Sequence, residues 1–400
     1  MARGRGGFIG QDGLNAPDSP TGVSASAGNA QADVSFTAPT DVGGSAITGF
    51  RAQSNTGVGV SGSSSPITVT GLSNGTAYTF NVWAINAFGY SAPSDASGSV
   101  TPNNPLGAGR ALFLGGSITG SNSNVIDYIN MASAGNASDF GDLSTTIARS
   151  AGTASSTRAV NGGGAGVTST IEYVTISSTG NAASFGNLLE AAAGQTNYAF
   201  GAVSNGTRGI WGGGYPSGNT NVIQYVTIAS TGNSTDFGDL TVARSSTRGN
   251  VNSTTRGLIL GGYESGTVNK IDYITMASTG NGTDFGDMLS GAERSGATAS
   301  NATRGIMAGA SSASNVIQYL TIASTGNMQD FGDLLSTQER PIGASSTTNF
   351  YCAGGYTSSA YSNVIQTVVF SSLGNSTDFG DLTVARNQLA SATNTHGGIA

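Results

Sequence analysis

The stretch KIDYITMASTGNGTDFGD, residues 270–287, holds a short apolar run over 271–276, a Thr-Gly-Asn turn and a second short run around Phe285. Short runs of β-branched and aromatic residues bounded by Gly and Asn are the pattern of strands joined by tight turns. The stretch is one of six. Its Phe-Gly-Asp/Asn ending returns with phenylalanine at 140, 185, 237, 285, 331 and 379, at intervals of 45, 52, 48, 46 and 48 residues. Ahead of each lies an apolar run ending in Gly-Gly or a close variant (RALFLGG, TRAVNGGG, TRGIWGGG, TRGLILGG, TRGIMAGA, NFYCAGG). Behind the anchor comes a polar strand such as VARSSTRGNVNS.

Four short strands per unit of roughly 48 residues, with no helical periodicity, predict a propeller blade rather than the coil of a solenoid. Six such units over residues 110–400 predict a six-bladed β-propeller, because no unit alone can bury its apolar strands. The chain enters at the Gly-Gly strand, residues 110–116, so the first blade lacks its innermost strand. Residues 385–394 are expected to supply it and close the ring, and the final THGGIA reads as the start of a further Gly-Gly strand.

Composition agrees with an all-β chain. Glycine is 62 of 400 residues, and charged residues fall to 9%, against about 25% in ordinary domains. Net charge is −7 and Lys270 is the one lysine, so no basic patch is available for a phosphate backbone and no nucleic-acid partner is expected. No run approaches the length of a transmembrane helix, so membrane insertion is not expected. The N-terminus lacks the apolar core of a secretory leader, which predicts folding in a cytoplasm. Cys352 stands alone in an apolar run and reads as a small buried hydrophobe, not as part of a disulfide framework. Neither cofactor nor metal is expected.

Residues 1–15 are Gly-rich, with Arg3, Arg5 and an apolar Phe8-Ile9 pair, and read either as disordered or as a docking tail. Residues 16–102 alternate in strand fashion (VSFTAP, ITGFRAQ, ITVTGL, YTFNVWAIN), and 103–109 read as a linker to the repeats at 110–400. With Pro17 and Pro20 at its entry, Gly49-Phe50, Leu72, Gly75, Thr76 and Tyr78, then Val82, Ala84, Asn86, Gly89, Ser91, Pro93 and Ser94, this segment resembles a fibronectin type III domain. The resemblance implies a β-sandwich in which Tyr78 is the tyrosine corner and Phe36 stands in for the family's tryptophan. Such modules serve as spacers or adhesive units, and the fold alone assigns no function. The repeats, with their Gly-Gly strand, tyrosine strand, aromatic anchor and following arginine, resemble kelch repeats in which Phe replaces the tryptophan.

Asp-Phe-Gly occurs five times without a kinase catalytic loop or strand lysine. The glycines at 57, 59 and 62 precede a strand, not the helix that a dinucleotide needs. Acids follow five anchors (Asp142, Asp239, Asp287, Asp333, Asp381), and arginines stand a few residues on (Arg149, Arg244, Arg294, Arg340, Arg386). Others open Gly-Gly strands (Arg158, Arg208, Arg256, Arg304), while the second unit has Asn187 and Gln195 in place of acid and arginine. Residues recurring in every unit predict Arg–carboxylate pairs that tie strands or blades together. His396 is the only histidine, and the acids Glu172, Glu190, Glu264, Glu293 and Glu339 are not grouped by spacing, so no catalytic site is expected.

The Thr-Gly-Asn turn hardly varies, whereas the loop after Gly-Gly changes in every unit. Variable loops on a rigid scaffold are where recognition sits. These carry Tyr215, Tyr263, Tyr356 and Tyr361, with Trp211 just inside, and form the candidate ligand-binding set for a sugar ring or protein partner. Packing of the tyrosines between blades is the other reading. The whole combination, from Gly-Arg head to repeat wording, resembles virion structural proteins of tailed bacteriophages, especially marine ones. That resemblance implies a non-catalytic appendage, tail fiber or decoration protein of capsid or tail. Arg3, Arg5, Phe8 and Ile9 would dock to other virion proteins, and the propeller face would contact a host glycan or receptor. A homo-oligomer would add avidity. A bacterial extracellular adhesin and a polysaccharide-active enzyme are the alternative expectations.

Overall fold

Side-chain alternation organises the first of two units, Met1–Gly107 and Ala108–Ala400, into which the computed structural model of the chain divides. Described are residues 16–399 except 29, 74–75, 103–108, 166–168, 190–199, 290–294 and 311. Strands Gln31–Thr37, Gly49–Ser54 and Phe80–Asn86 bury every second residue. Their inward sides meet as one apolar core of which Val34, Phe50, Val69, Phe80 and Val82 are members. Among the described residues a three-stranded and a four-stranded sheet make up the sandwich. The buried Tyr78 hydroxyl accepts the Ser73 N–H at 3.0 Å, the bond a tyrosine corner makes. Phe36 packs on Phe50 with ring centroids 4.8 Å apart, filling the expected tryptophan position. One sheet edge is completed without a regular strand. Ser91, Ser94 and Ser97 donate backbone N–H groups to Ala84, Val82 and Phe80 carbonyls, and their hydroxyls accept the N–H groups of those same residues at 2.9–3.0 Å.

Among its described residues the second unit contains six four-stranded antiparallel sheets. The fourth is typical, with Arg248–Asn252, Arg256–Leu260, Lys270–Thr275 and Thr283–Asp287 side by side in chain order. The first is assembled from both ends of the unit: Ala390–Thr393 lies along Arg110–Leu114, with Ala390 opposite Leu114 and Thr393 opposite Ala111. The segment expected to provide this strand therefore provides it. Residues 394–399 differ from expectation. They form turns rather than the start of another strand, because Arg110–Leu114 already has a partner on each side.

The first strand of each sheet touches that of the next, and the sixth returns to the first. Five of these six strands are built from small residues with no outward face, for example AGTA at Ala151–Ala154 and ATAS at Ala297–Ser300. Close backbone approach explains the composition. A Cβ on Gly343 would lie 2.5 Å from the Thr298 carbonyl oxygen, and one on Gly249 would lie 2.0 Å from that of Ala202. Apolar clusters fill the spaces between consecutive sheets, such as Val203, Ile210 and Phe237 against Ile259, Ile274 and Met276.

At the outer edge, the N–H of the glycine in each Gly-Asn turn donates to the carbonyl of the preceding sheet's anchor phenylalanine, Gly280 to Phe237 at 2.7 Å for example. The asparagine Oδ1 accepts the N–H of the residue after Phe-Gly, from Asp142 to Asn181 at 3.0 Å round to Asp381 to Asn136 at 3.1 Å. Asn187 makes the same bond to Asn233. The acid after the anchor thus contributes its main chain here, not its carboxylate.

The expected Arg–carboxylate pairing is corrected accordingly. Arg158, Arg208, Arg256 and Arg304, with Arg110, stack on the tyrosine of the adjacent strand at 4.5–4.8 Å. They donate to a main-chain carbonyl of the next sheet, as Arg208 does to Met276 at 3.0 Å and Arg256 to Ile322 at 3.0 Å. Carbonyls suffice because each guanidinium already has a π-face beneath it. Ion pairs among the described residues are Arg244–Asp272 at 3.2 Å and Arg386–Asp127 at 2.6 Å, and both acids lie on third strands rather than after anchors.

Gly343→Ala is expected to cost about 1–3 kcal/mol by overpacking against main chain, whereas Gly266→Ala, whose Cβ meets nothing within 4 Å, is expected to be neutral. Urea denaturation of both variants measures the difference, and equal stabilities would contradict the packing described.

Candidate functional site

The connections that enter each first strand and the variable loops after Gly-Gly lie at the same end of the sheets, joined by short main-chain pairings. Ser245 and Tyr263 exchange N–H···O bonds at 3.1 and 2.7 Å, and Glu339 and Tyr356 exchange two at 2.8 Å. Tyr356 and Tyr361 bridge to each other across their own loop and pack edge to face, centroids 5.3 Å apart at 82°. Both are half-buried. Tyr215 and Tyr263, also half-buried, belong to the third and fourth sheets, whose loops are tied by Asn219 Nδ2 donating to the Glu264 carbonyl at 2.8 Å.

Trp211 does not belong to this set. Its side chain is fully buried, its Nε1–H donates to the Ala151 carbonyl at 3.1 Å, and its ring lies over Gly162. The signal was available: Phe113, Ile259, Met307 and Cys352 occupy the equivalent position in other sheets and are buried too. Arg3, Arg5, Phe8 and Ile9 lie outside the described residues, as do Glu190 and Glu293. Glu172 is buried and accepts the Ser144 N–H at 3.1 Å, while Glu264 is exposed and Glu339 half-buried. Burial pushes the Cys352 thiol up to about 12, which leaves it protonated and inert. Arg248 borders the small cavity where the first strands begin, and its pKa, lowered by burial, is lowered further by repulsion from Arg340 and Arg149. Spacing does not reveal this nearness, since Arg248 opens a strand while Arg149 and Arg340 stand in the connections ahead of Ala151–Ala154 and Ile342–Ser345.

The opposite end of the axis is stoppered. His396, which has the look of a tail residue, is buried where the first strands end, because residues 394–399 turn in over them. Its Nδ1 accepts the Gly398 N–H at 3.0 Å and faces Asn252 Nδ2 at 3.0 Å. Its Nε2 therefore carries the proton, 2.9 Å from Ser204 Oγ and 3.2 Å from the Ala154 carbonyl. Burial lowers its pKa to about 4, with the bond to the Ala154 carbonyl acting in the opposite sense.

Among the described residues no group of three or more His, Cys, Asp or Glu is placed to hold a metal ion, and no helix is long and apolar enough to cross a membrane. Residues 18–99 match the family described as Fibronectin type III domain. No curated protein matches the chain. Among solved structures, a crystal structure of titin domains is similar over 22% of this chain at 30% identity, with a TM-score of 0.21. The chain covers 33% of that titin structure.

Because the folded pKa of His396 lies below the unfolded value of 6.5, the unfolded chain binds the extra proton first as pH falls. Stability is therefore complete above pH ~6.5 and declines by up to about 3 kcal/mol on acidification through pH ~4. His396→Gln is expected to flatten this dependence between pH 7 and 4, read from denaturation midpoints.

Proposed function

We propose that the chain is a non-catalytic structural and adhesive protein of a tailed-bacteriophage particle, displayed on capsid or tail. In this reading the six sheets form a kelch-like β-propeller closed by its C-terminal strand, the fibronectin type III module is a spacer, and residues 1–15 dock to other virion proteins. The tyrosine-loop face contacts a host glycan or receptor.

The observation that carries the adhesive part is the contrast between the two ends of the sheets. At one end, a main-chain framework with small-residue first strands presents loops of changing sequence, with the Tyr356–Tyr361 pair half open to solvent. Aromatic faces among neutral hydroxyls and amides suit stacking on a sugar ring or an apolar side chain of a partner. Nucleophilic chemistry has no support from the residues usually used for it. His396 is buried and neutral at physiological pH, and the Cys352 thiol is buried and protonated.

Deleting residues 1–15 is expected to abolish incorporation into particles, scored by protein composition of purified virions. Tyr361→Ala is expected to weaken adsorption of those particles to host cells about tenfold, a loss of roughly 1.4 kcal/mol. Wild-type incorporation by the deletion would remove the docking role, and unchanged adsorption by Tyr361→Ala would remove the adhesive one.

A further inference from the structure

We propose that residues 394–399 are an acid-released stopper: a proton taken up by His396 frees them from the axis while the six sheets stay closed. The proposal goes beyond the adhesive reading above and stands without it. One ring ties the segment to three sheets. His396 Nε2 stands 2.9 Å from Ser204 Oγ and 3.2 Å from the Ala154 carbonyl oxygen, and Nδ1 stands 3.0 Å from Asn252 Nδ2. Next to it, Gly397 N–H donates to the Ser300 carbonyl at 3.0 Å, which brings in the fifth sheet. The chain enters the segment at Asn394, directly after Ala390–Thr393, and Asn394 Oδ1 accepts the Arg110 N–H at 2.8 Å. Asn394 is therefore the hinge. Strand pairing fixes the chain on one side of it, and the ring fixes it on the other.

A second proton on the ring meets a donor already in place. Nδ1 accepts the Gly398 N–H at 3.0 Å, so protonation there sets N–H against N–H. Asn252 can turn its amide and offer an oxygen instead, but a main-chain N–H only donates. The Gly398 N–H moves away only if the turn at 396–398 opens. That turn, which also holds Ile399 N–H on the His396 carbonyl at 2.9 Å, is the stopper itself. The conflict is thus delivered to the segment and not to the sheets. Close packing leaves no half-way position: a Cβ on Gly397 would run into the Asn252 and Asn301 carbonyl oxygens, and one on Gly398 into that of Ser204.

Among the described residues no carboxylate faces the ring to neutralise an imidazolium. The turns at 155–157, 205–207, 253–255, 301–303 and 346–348, which follow the first strands at this end, hold no titratable residue. Arg248 stands at the far end of Arg248–Asn252, while Arg110, Arg158, Arg208, Arg256 and Arg304 are stacked on tyrosines, and all are of like charge to an imidazolium. A cavity of about 10 Å³ adjoins the ring, walled also by Thr153, Ser345, Ser391 and Thr393, with room for about one water to bring the proton. Burial holds the enclosed ring at a pKa of about 4, the Ala154 carbonyl acting in the opposite sense. Once out, the ring titrates near the ordinary 6.5, so each fall in pH between these values favours the released form.

Hydrogen exchange of the full chain at about pH 7 and about pH 4.5, read by mass spectrometry and corrected for intrinsic exchange, tests the proposal. Protection of the peptide carrying Gly397 and Gly398 is expected to fall at least about tenfold at the lower pH, while peptides carrying Ala297–Ser300 and Ile342–Ser345 keep theirs. His396→Gln, which cannot take a charge, is expected to show equal protection at both pH values, whether its stopper sits in or out. Because His396 is the only histidine, its NMR titration in the wild-type chain is unambiguous, and its midpoint is expected to match that of release. This comparison decides alone should His396→Gln fail to fold. C-terminal protection that does not change with pH would overturn the proposal. So would a loss shared by the first-strand peptides, which is unfolding and not release, or a pH-dependent loss that persists in His396→Gln. An NMR midpoint away from that of release would assign the trigger to another group and overturn it too.

Discussion

Main-chain hydrogen bonds from each Gly-Asn turn to the fourth strand of the preceding sheet are the constraint on which the second unit depends. A fourth strand left alone would present bare N–H and C=O groups, an invitation to pair with another chain. Here the next sheet satisfies those groups: Gly135 and Ala137 donate to Phe379 and Asp381 just as Gly280 and Gly282 donate to Phe237 and Asp239. The constraint reaches into the anchor itself. A Cβ on Gly286 would lie 2.5 Å from the Gly326 carbonyl oxygen, and the residue holds φ +142°, so Phe-Gly-Asp needs its glycine for space and conformation together. Constancy of both turn and anchor follows from one contact seen from its two sides.

Where a unit departs from the common wording, the departure is compensated nearby. In the sixth sheet Asn349 and Thr367 replace the stacked arginine and tyrosine. The Tyr351 hydroxyl then donates to the Met131 carbonyl at 3.0 Å, the bond to the next sheet that arginine makes elsewhere. A second compensation concerns the third strands. Asp127 and Asp272 accept the N–H groups of Thr383 and Thr241 and also hold Arg386 and Arg244. Gln224, Gln318 and Gln366, at the same position, accept the N–H groups of Leu189, Leu289 and Leu335 through a neutral oxygen. Asp127 and Asp272 thus meet an arginine there, while Glu172, the carboxylate at the same position in the second sheet, is buried with the Ser144 N–H as its partner.

These pairings explain what could be read from the residues and what could not. Strand runs, six units, the strand shared by both ends of the unit and the Tyr78 corner all leave marks in residue type at regular spacing. The role of Arg208 leaves none, since a carbonyl of Met276 belongs to any residue and carries no signature. Counting acids and arginines per unit therefore suggested ion pairs where the main chain is the acceptor. Trp211 was misplaced for a different reason: an aromatic at the end of a strand reads as a rim residue until the first strand of the neighbouring sheet is seen to cover it. The repulsion of Arg248 by Arg149 and Arg340 was hidden because the three are about a hundred residues apart in sequence, and only a cyclic order of sheets brings such positions near one another.

The same cyclic order makes the two ends of the axis chemically opposite. At one end the chain's own residues 394–399 fill the opening, and His396 gives up its charge to be there. Gly397 and Gly398 fit only because they lack side chains, since a Cβ on Gly397 would lie 2.2 Å from the carbonyl oxygens of both Asn252 and Asn301. At the other end Arg248 borders a small cavity, and burial, then repulsion from Arg340 and Arg149, lowers its pKa to about 10. Five of the six first strands are of small, buried residues, and Arg248–Asn252 alone brings larger polar side chains to the ring. The side chains that differ from sheet to sheet stand instead in the loops beyond those strands, where Tyr215, Tyr263, Tyr356 and Tyr361 are half-buried.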